Sequence, residues 1–195
     1  MGSSRSASTE SRLYPHSMNR PPTAVLVVVS GLPGTGKSAL ADALAAHLGA
    51  VHLSIDVAEE AMLAVGLAHD WTTGVAAYEA AGALASLNLG LGSVVVVDAV
   101  NDSEAARSTW RSAAGRAAAD LRFLVTVCSD EDEHRRRLAM RSRPFLNVRE
   151  PTWEDVQRRA AKYEPWLEPH TVIDTVQPLS RSLAQAVLAL RTSDE

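Results

Sequence analysis

The stretch Ala24-Val25-Leu26-Val27-Val28-Val29-Ser30-Gly31-Leu32-Pro33-Gly34-Thr35-Gly36-Lys37-Ser38 decides the fold of this chain. An apolar, β-branched run leads into a glycine turn, and Ala39 to Leu48 follows as a strong helix former. Gly31, Gly36, Lys37 and Ser38 fit G-x-x-x-x-G-K-[ST], in the strand-turn-helix context that this phosphate-binding pattern requires. A polyphosphate needs several backbone N–H donors aimed at one place. Glycines let the main chain curl around it with no Cβ in the way. The positive end of the helix that opens near Gly36 adds to the attraction. Pro33, Gly34, Thr35 and Ala39 complete the expected nucleotide-binding set. Lys37 is placed to reach the β- and γ-phosphates, and the Ser38 hydroxyl to ligate Mg²⁺. Lys37 is one of only two lysines among the 19 basic residues, so its position does not reflect general lysine usage.

The bulk numbers set bounds. A chain of 195 residues suits one domain, here residues 23–195, behind a Ser- and Arg-rich stretch, 1–22, that reads as a disordered tail or an added leader. The net charge of −4 exerts no general pull on nucleic acid, so a nucleic-acid partner is not expected. No apolar run approaches the length of a membrane span. The single cysteine, Cys128, excludes an intrachain disulfide and a thiolate zinc cluster. It reads as a buried core thiol, and a reducing cytoplasm is the expected compartment.

Downstream, Ala50 to Asp56 reads as a second strand ending in a carboxylate. Ligands gather at the C-terminal ends of parallel strands, so Asp56 is expected near the phosphate loop. Two roles are open for it: base or orienter for an acceptor hydroxyl, or N-cap of a helix starting near Val57. Between this strand and the next lie His69, Asp70, Trp71 and Tyr78, candidates to line an acceptor pocket. A long helix is expected from about Val75 to Leu91. Ser93 to Asp98 is a third strand, buried on both faces. Asp98 at its tip fits the second acidic position of phosphate-loop proteins, which manages Mg²⁺. Asn101 follows as a substrate contact, and Asp102 or Ser103 as the cap of a helix through Ala117.

Leu121 to Val127 is a fourth strand, followed by a helix that Ser129 caps. There acid leads and base trails, with i,i+4 pairs Glu131–Arg135, Asp132–Arg136 and Glu133–Arg137. Arg137 and Arg141 share a face toward 142–152, a segment with the look of a lid. Together with Arg143 they are candidates to neutralise a transferring phosphoryl group. A capped helix from Thr152 to about Tyr163, a fifth strand His170–Thr175 and a closing helix Leu179–Arg191 complete the chain. The loop Val176-Gln177-Pro178 is a place for adenine to stack.

On these residues the chain resembles the small P-loop kinases related to zeta toxin, chloramphenicol phosphotransferase and polynucleotide kinase. Gly31 to Ser38, Ser54-Ile55-Asp56, Asp98 and the arginine-bearing helix before a lid carry the likeness. It looks particularly similar to bacterial ATP-binding proteins with Asp98-Ala99-Val100-Asn101 and Tyr163-Glu164-Pro165-Trp166. The resemblance implies a three-layer α/β/α domain with a five-stranded parallel sheet, and a catalytic base at Asp56. It implies ATP and Mg²⁺ as requirements and a small-molecule hydroxyl as acceptor. The absence of N-K-x-D favours ATP over GTP. A regulatory ATPase and a nucleic-acid end kinase are the competing readings, and a homodimer is left open.

Overall fold

A computed structural model describes residues 24–191. The tail expected over residues 1–22 lies outside them. Five strands, β1 (Val25–Ser30), β2 (Val51–Ser54), β3 (Val95–Asp98), β4 (Asp120–Val127) and β5 (Thr171–Asp174), form one sheet in the order β2-β3-β1-β4-β5. Every neighbouring pair is parallel. Seven helices connect or flank them: α1 (Lys37–Leu48), α2 (Ile55–Ala64), α3 (Trp71–Gly90), α4 (Glu104–Ala117), α5 (Glu131–Met140), α6 (Trp153–Ala161) and α7 (Leu179–Arg191).

The apolar run in β1 is continuous because both faces of the central strand are covered. Leu26 and Val28 face a core built with Ile55 of α2, Ala77, Ala81, Ala85 and Leu89 of α3, and Trp110 of α4. Val27 and Val29 face the other core, formed with Leu40, Ala41 and Leu44 of α1 and Ala186 of α7. The period-2 geometry of a strand therefore sorts alternate valines into two layers. The register sets Asp98 of β3 beside Val29 of β1 and Ser54 of β2. All three strands thus end at the edge where the phosphate loop begins.

Several expectations are corrected. β2 stops at Ser54 and α2 follows with no loop, so Asp56 lies in the first turn of α2, neither strand tip nor N-cap. α3 starts at Trp71, because the Asp70 carboxylate accepts the Thr73 N–H at 3.0 Å and caps the helix there. Asp130, not Ser129, caps α5, accepting the Glu133 N–H at 3.0 Å. The Ser129 hydroxyl is drawn instead to Asp174 at 2.5 Å. Arg136 pairs with Glu133, three residues back, rather than with Asp132. Cys128 lies one residue past β4 and is half-buried, not a core thiol.

Candidate active site

The phosphate loop is curled by its glycines and propped from beneath by the neighbouring strands. Gly36, the residue before α1, has φ +82°, a region that a Cβ disfavours. A Cβ on Gly31 would come within 2.6 Å of the Thr126 carbonyl oxygen. The Thr35 hydroxyl donates to Leu32 O at 2.8 Å and lies 2.8 Å from the Thr126 hydroxyl. Thr175, just past β5, donates its hydroxyl to Thr35 O at 2.7 Å. His134 of α5 is buried beneath the loop, with Nε2 2.8 Å from Pro33 O. Supports from β4, β5 and α5 therefore shape the loop before any ligand arrives.

Above the loop is a cavity of about 220 Å³. Gly34, Gly36, Lys37, Ser38 and Ala39 line one side, Arg137 and Arg141 the other. A larger cleft, about 300 Å³, lies at the N-terminal ends of β4 and β5 between Leu121–Leu124 and Pro169–Thr171. No phosphate-loop residue touches that cleft, and its Arg111 is already paired with Glu168. In a parallel sheet the chemistry belongs at the opposite end.

Lys37 is 4% exposed. Burial pulls its ammonium below the ordinary value; the charges of Asp56 and Asp98 oppose the pull, and Arg141 and Arg143 add to it. All four charged groups thus act on the loop lysine. Asp98 is buried, with Oδ1 accepting the Ser54 hydroxyl at 2.9 Å. Its Oδ2 is buried with no hydrogen-bond partner. Such an oxygen is costly to leave bare and fits a cation or a cation's water. Among the described residues no group of three or more His, Cys, Asp or Glu forms a protein-only metal cage.

Asp56 meets two arginines at the start of the 142–152 segment. Its Oδ2 accepts Arg141 Nη2 at 3.3 Å and also takes Arg143 Nη1. Glu150 holds Arg143 from the other side, at 2.7 Å from Nε and 3.3 Å from Nη2, and lies 3.6 Å from Arg141. Two carboxylates and two guanidinium groups balance one another beside the phosphate cavity.

The structure brings Lys37, Ser38, Asp56, Asp98, Arg141 and Arg143 together, and takes other candidates elsewhere. Asn101 is fully buried: Nδ2 donates to Ser30 Oγ at 2.8 Å and Oδ1 accepts Trp110 Nε1 at 2.7 Å. Its side chain pins the strand ends instead of facing a substrate. Tyr78 OH accepts the Asn101 N–H at 3.2 Å, and its ring packs on Trp110. Trp71 is 81% exposed at the start of α3. His69 is exposed, 3.8 Å from Glu59. Arg137 lines the cavity but is engaged on three sides, donating to Glu133 at 2.7 Å and to the Thr175 hydroxyl and carbonyl at 3.1 and 2.9 Å. The Val176–Pro178 loop adjoins the phosphate loop through Thr175.

Sequence reasoning missed Arg107, His134, Glu60 and Glu150. Arg107 is the most informative. It is fully buried, and donates to Asn101 O at 3.1 Å, Pro165 O at 2.6 Å and Glu164 O at 2.5 Å. Its guanidinium lies 4.1 Å from the Trp166 ring centroid. The segments Asp98–Asn101 and Tyr163–Trp166, distant in sequence, are thereby one structural unit. The signal available beforehand was a lone arginine on the otherwise apolar face of α4.

Parallel strand order, a phosphate loop after the central strand and a paired acidic strand tip define a P-loop α/β/α protein. The family model AAA_33, an AAA domain, matches residues 26–163, and the chain belongs to that family. No curated protein matches the chain significantly. Among solved structures, it is similar to an unliganded sugar kinase from Janibacter, with 18% identity and a TM-score of 0.65 over 87% of this chain and 95% of that one. It is also similar to the APS kinase CysC of Mycobacterium tuberculosis in complex with AMPPNP and APS (19%, TM-score 0.65, 87% and 99%). A gluconokinase from Sinorhizobium meliloti matches at 20% identity and a TM-score of 0.60, over 90% and 99%. At these identities the likeness establishes the fold. Among the described residues no helix is long and apolar enough to cross a membrane.

Proposed function

We propose that the chain is an ATP-dependent phosphotransferase that moves the γ-phosphoryl group to a hydroxyl of a small molecule. One observation carries the reading: Asp56, held by two arginines of which Arg141 lines the phosphate cavity, lies within the electrostatic reach of the buried loop lysine, as does Asp98. A carboxylate so placed can orient an attacking hydroxyl and take its proton. The sugar kinase, APS kinase and gluconokinase of similar fold support the small-molecule class.

In this reading the loop amides and Lys37 bind the triphosphate. The added negative charge offsets the cost of the buried ammonium. Ser38 and Asp98 are the residues that would hold Mg²⁺, the bare Oδ2 of Asp98 being the fitting donor. The ion, when bound, supplies neutralisation of phosphate charge. Arg141 leaves Asp56 for the phosphoryl oxygens and offsets charge in the loose, in-line transition state. Asp56, released from the arginines, orients the acceptor hydroxyl and takes its proton as the new O–P bond forms and the β–γ bridge breaks. The Arg143–Glu150 pair holds the two ends of the 142–152 lid to each other, and the closed lid excludes water.

A metabolite panel incubated with γ-labelled ATP tests the reading, beside Asp56→Asn. Label is expected in an acceptor, and the variant is expected to lose transfer by at least about a hundredfold while retaining nucleotide binding. Release of phosphate with no labelled acceptor, unchanged in the variant, would replace the reading with that of a regulatory ATPase.

A further inference from the structure

Helix α2 carries a second acid on the face of Asp56. Glu60 follows it by four residues, one helical turn, so both carboxylates look toward the lid. Glu60 Oε1 accepts the backbone N–H of Leu146 at 3.0 Å and the Asn147 side-chain amide at 2.8 Å. Oε2 accepts the backbone N–H of Asn147 at 3.0 Å and of Val148 at 2.8 Å. Three successive main-chain donors of the lid thus converge on one carboxylate. Converging N–H groups of this kind form an anion-binding nest, here filled by a side chain of the same protein.

We propose that Glu60 is the positioning residue that latches the lid over the acceptor site. The proposal rests on the phosphotransfer reading for what the lid does, but not for how it is held. The lid has two attachments to α2 that differ in kind. Asp56 grips the side chains of Arg141 and Arg143, which a phosphoryl group competes for. Glu60 grips the main-chain amides of Leu146, Asn147 and Val148, none of which lines the phosphate cavity. When the arginines turn to phosphate and Asp56 is freed for the hydroxyl, the Glu60 contact keeps the lid in place. Charge-assisted bonds are roughly twice as strong as neutral ones, so one carboxylate suffices as the anchor. Bonds to Leu146, Val148 and Asn147 outweigh the desolvation that pushes the Glu60 carboxyl up, and hold it at about 2. The latch is therefore charged in neutral and mildly acidic solution.

The test reads the lid directly. Arg141 and Arg149 are tryptic sites within or beside it, whereas Pro144 shields the bond after Arg143. In the full chain, Glu60→Ala is expected to raise cleavage after these two at least tenfold, with cleavage elsewhere unchanged. Glu60→Gln keeps one acceptor oxygen and is expected to fall between the two. With Mg²⁺ and ATP alone, Glu60→Ala is expected to release phosphate faster than the parent, because water enters under an open lid, while the dissociation constant for ATP shifts less than about threefold. A merely structural role would leave that leak unmoved. Amide exchange in the unaltered protein supplies a check that needs no variant: Leu146, Asn147 and Val148 are expected to exchange slowly for a loop. Lid cleavage in Glu60→Ala equal to the parent's, or fast exchange at these three amides, overturns the proposal. An exposed lid in the variant together with no phosphotransfer from any form sinks the kinase reading and leaves the latch. A working kinase with a lid indifferent to Glu60 sinks the latch alone.

Discussion

Arg107 is a cation buried without an acidic partner among the described residues, and three carbonyl oxygens and an aromatic face replace one. Each carbonyl it serves would be stranded if it were removed, at about 1–3 kcal/mol apiece. Arg107→Leu is therefore expected to lower unfolding free energy by at least about 3 kcal/mol, read from denaturant midpoints at constant slope. Because Arg107 touches no phosphate-loop residue, the fraction that stays folded is expected to bind nucleotide normally, which equilibrium binding would check. The same buried neighbourhood consumes Asn101, whose polar side-chain atoms are both engaged internally. A polar residue after a strand tip looks like a substrate contact in sequence. Only the fold reveals that Trp110 and Ser30 have already claimed it.

Among the elements, α5 is the one whose charges have the most to say. Hydrogen bonds from Arg136 and Arg137 hold the Glu133 carboxyl at about 2, against an ordinary 4.5. A carboxyl whose folded-state pKa is depressed contributes stability above its unfolded value, and that contribution is lost as pH falls toward the folded value. Glu133→Gln never has it. The gap in denaturant midpoint between parent and variant is expected to be full above about pH 5 and to shrink steadily toward about pH 3. A gap that stays constant across that range would remove Glu133 from the account. Elements with strong local patterns, such as β1, α1, β4 and α7, were legible in the sequence, α7 to the residue. The start of α2 was not, because no glycine or proline separates it from β2. Nor was the start of α3, where Thr72-Thr73-Gly74 has the composition of a loop and the Asp70 cap overrides it. The phosphate loop was legible because one contiguous segment carries it. The props beneath and the Glu60 contacts were not, because they join residues far apart along the chain: 101 positions for His134 and Pro33, 86 for Glu60 and Leu146.

For the whole molecule, a preformed loop set between two cores couples ligand binding to global unfolding. β1 belongs to both cores and leads directly into the cradle. Anything that binds the folded cradle alone must stabilise the entire domain. At a hundred times its dissociation constant, a non-hydrolysable ATP analogue with Mg²⁺ adds about 2.7 kcal/mol, a rise in Tm of about 5–10 °C for a chain of this size. Lys37→Ala is expected to abolish the rise, and thermal scans with and without the analogue would read it. A rise that survives Lys37→Ala would place the nucleotide somewhere other than this loop.

The half-buried Cys128 gives the molecule a built-in handle. It is the chain's single sulfhydryl and stands at the end of β4, on the side where β5 and α5 brace the cradle. Desolvation pushes its thiol up, so maleimide coupling is expected to be sluggish near neutrality and brisk in mild alkali. A fluorophore attached there would sit one residue from Val127, whose carbonyl accepts the Thr175 hydroxyl that braces the cradle. Occupation of the cradle could then be watched in real time, in a protein that needs no engineered attachment point.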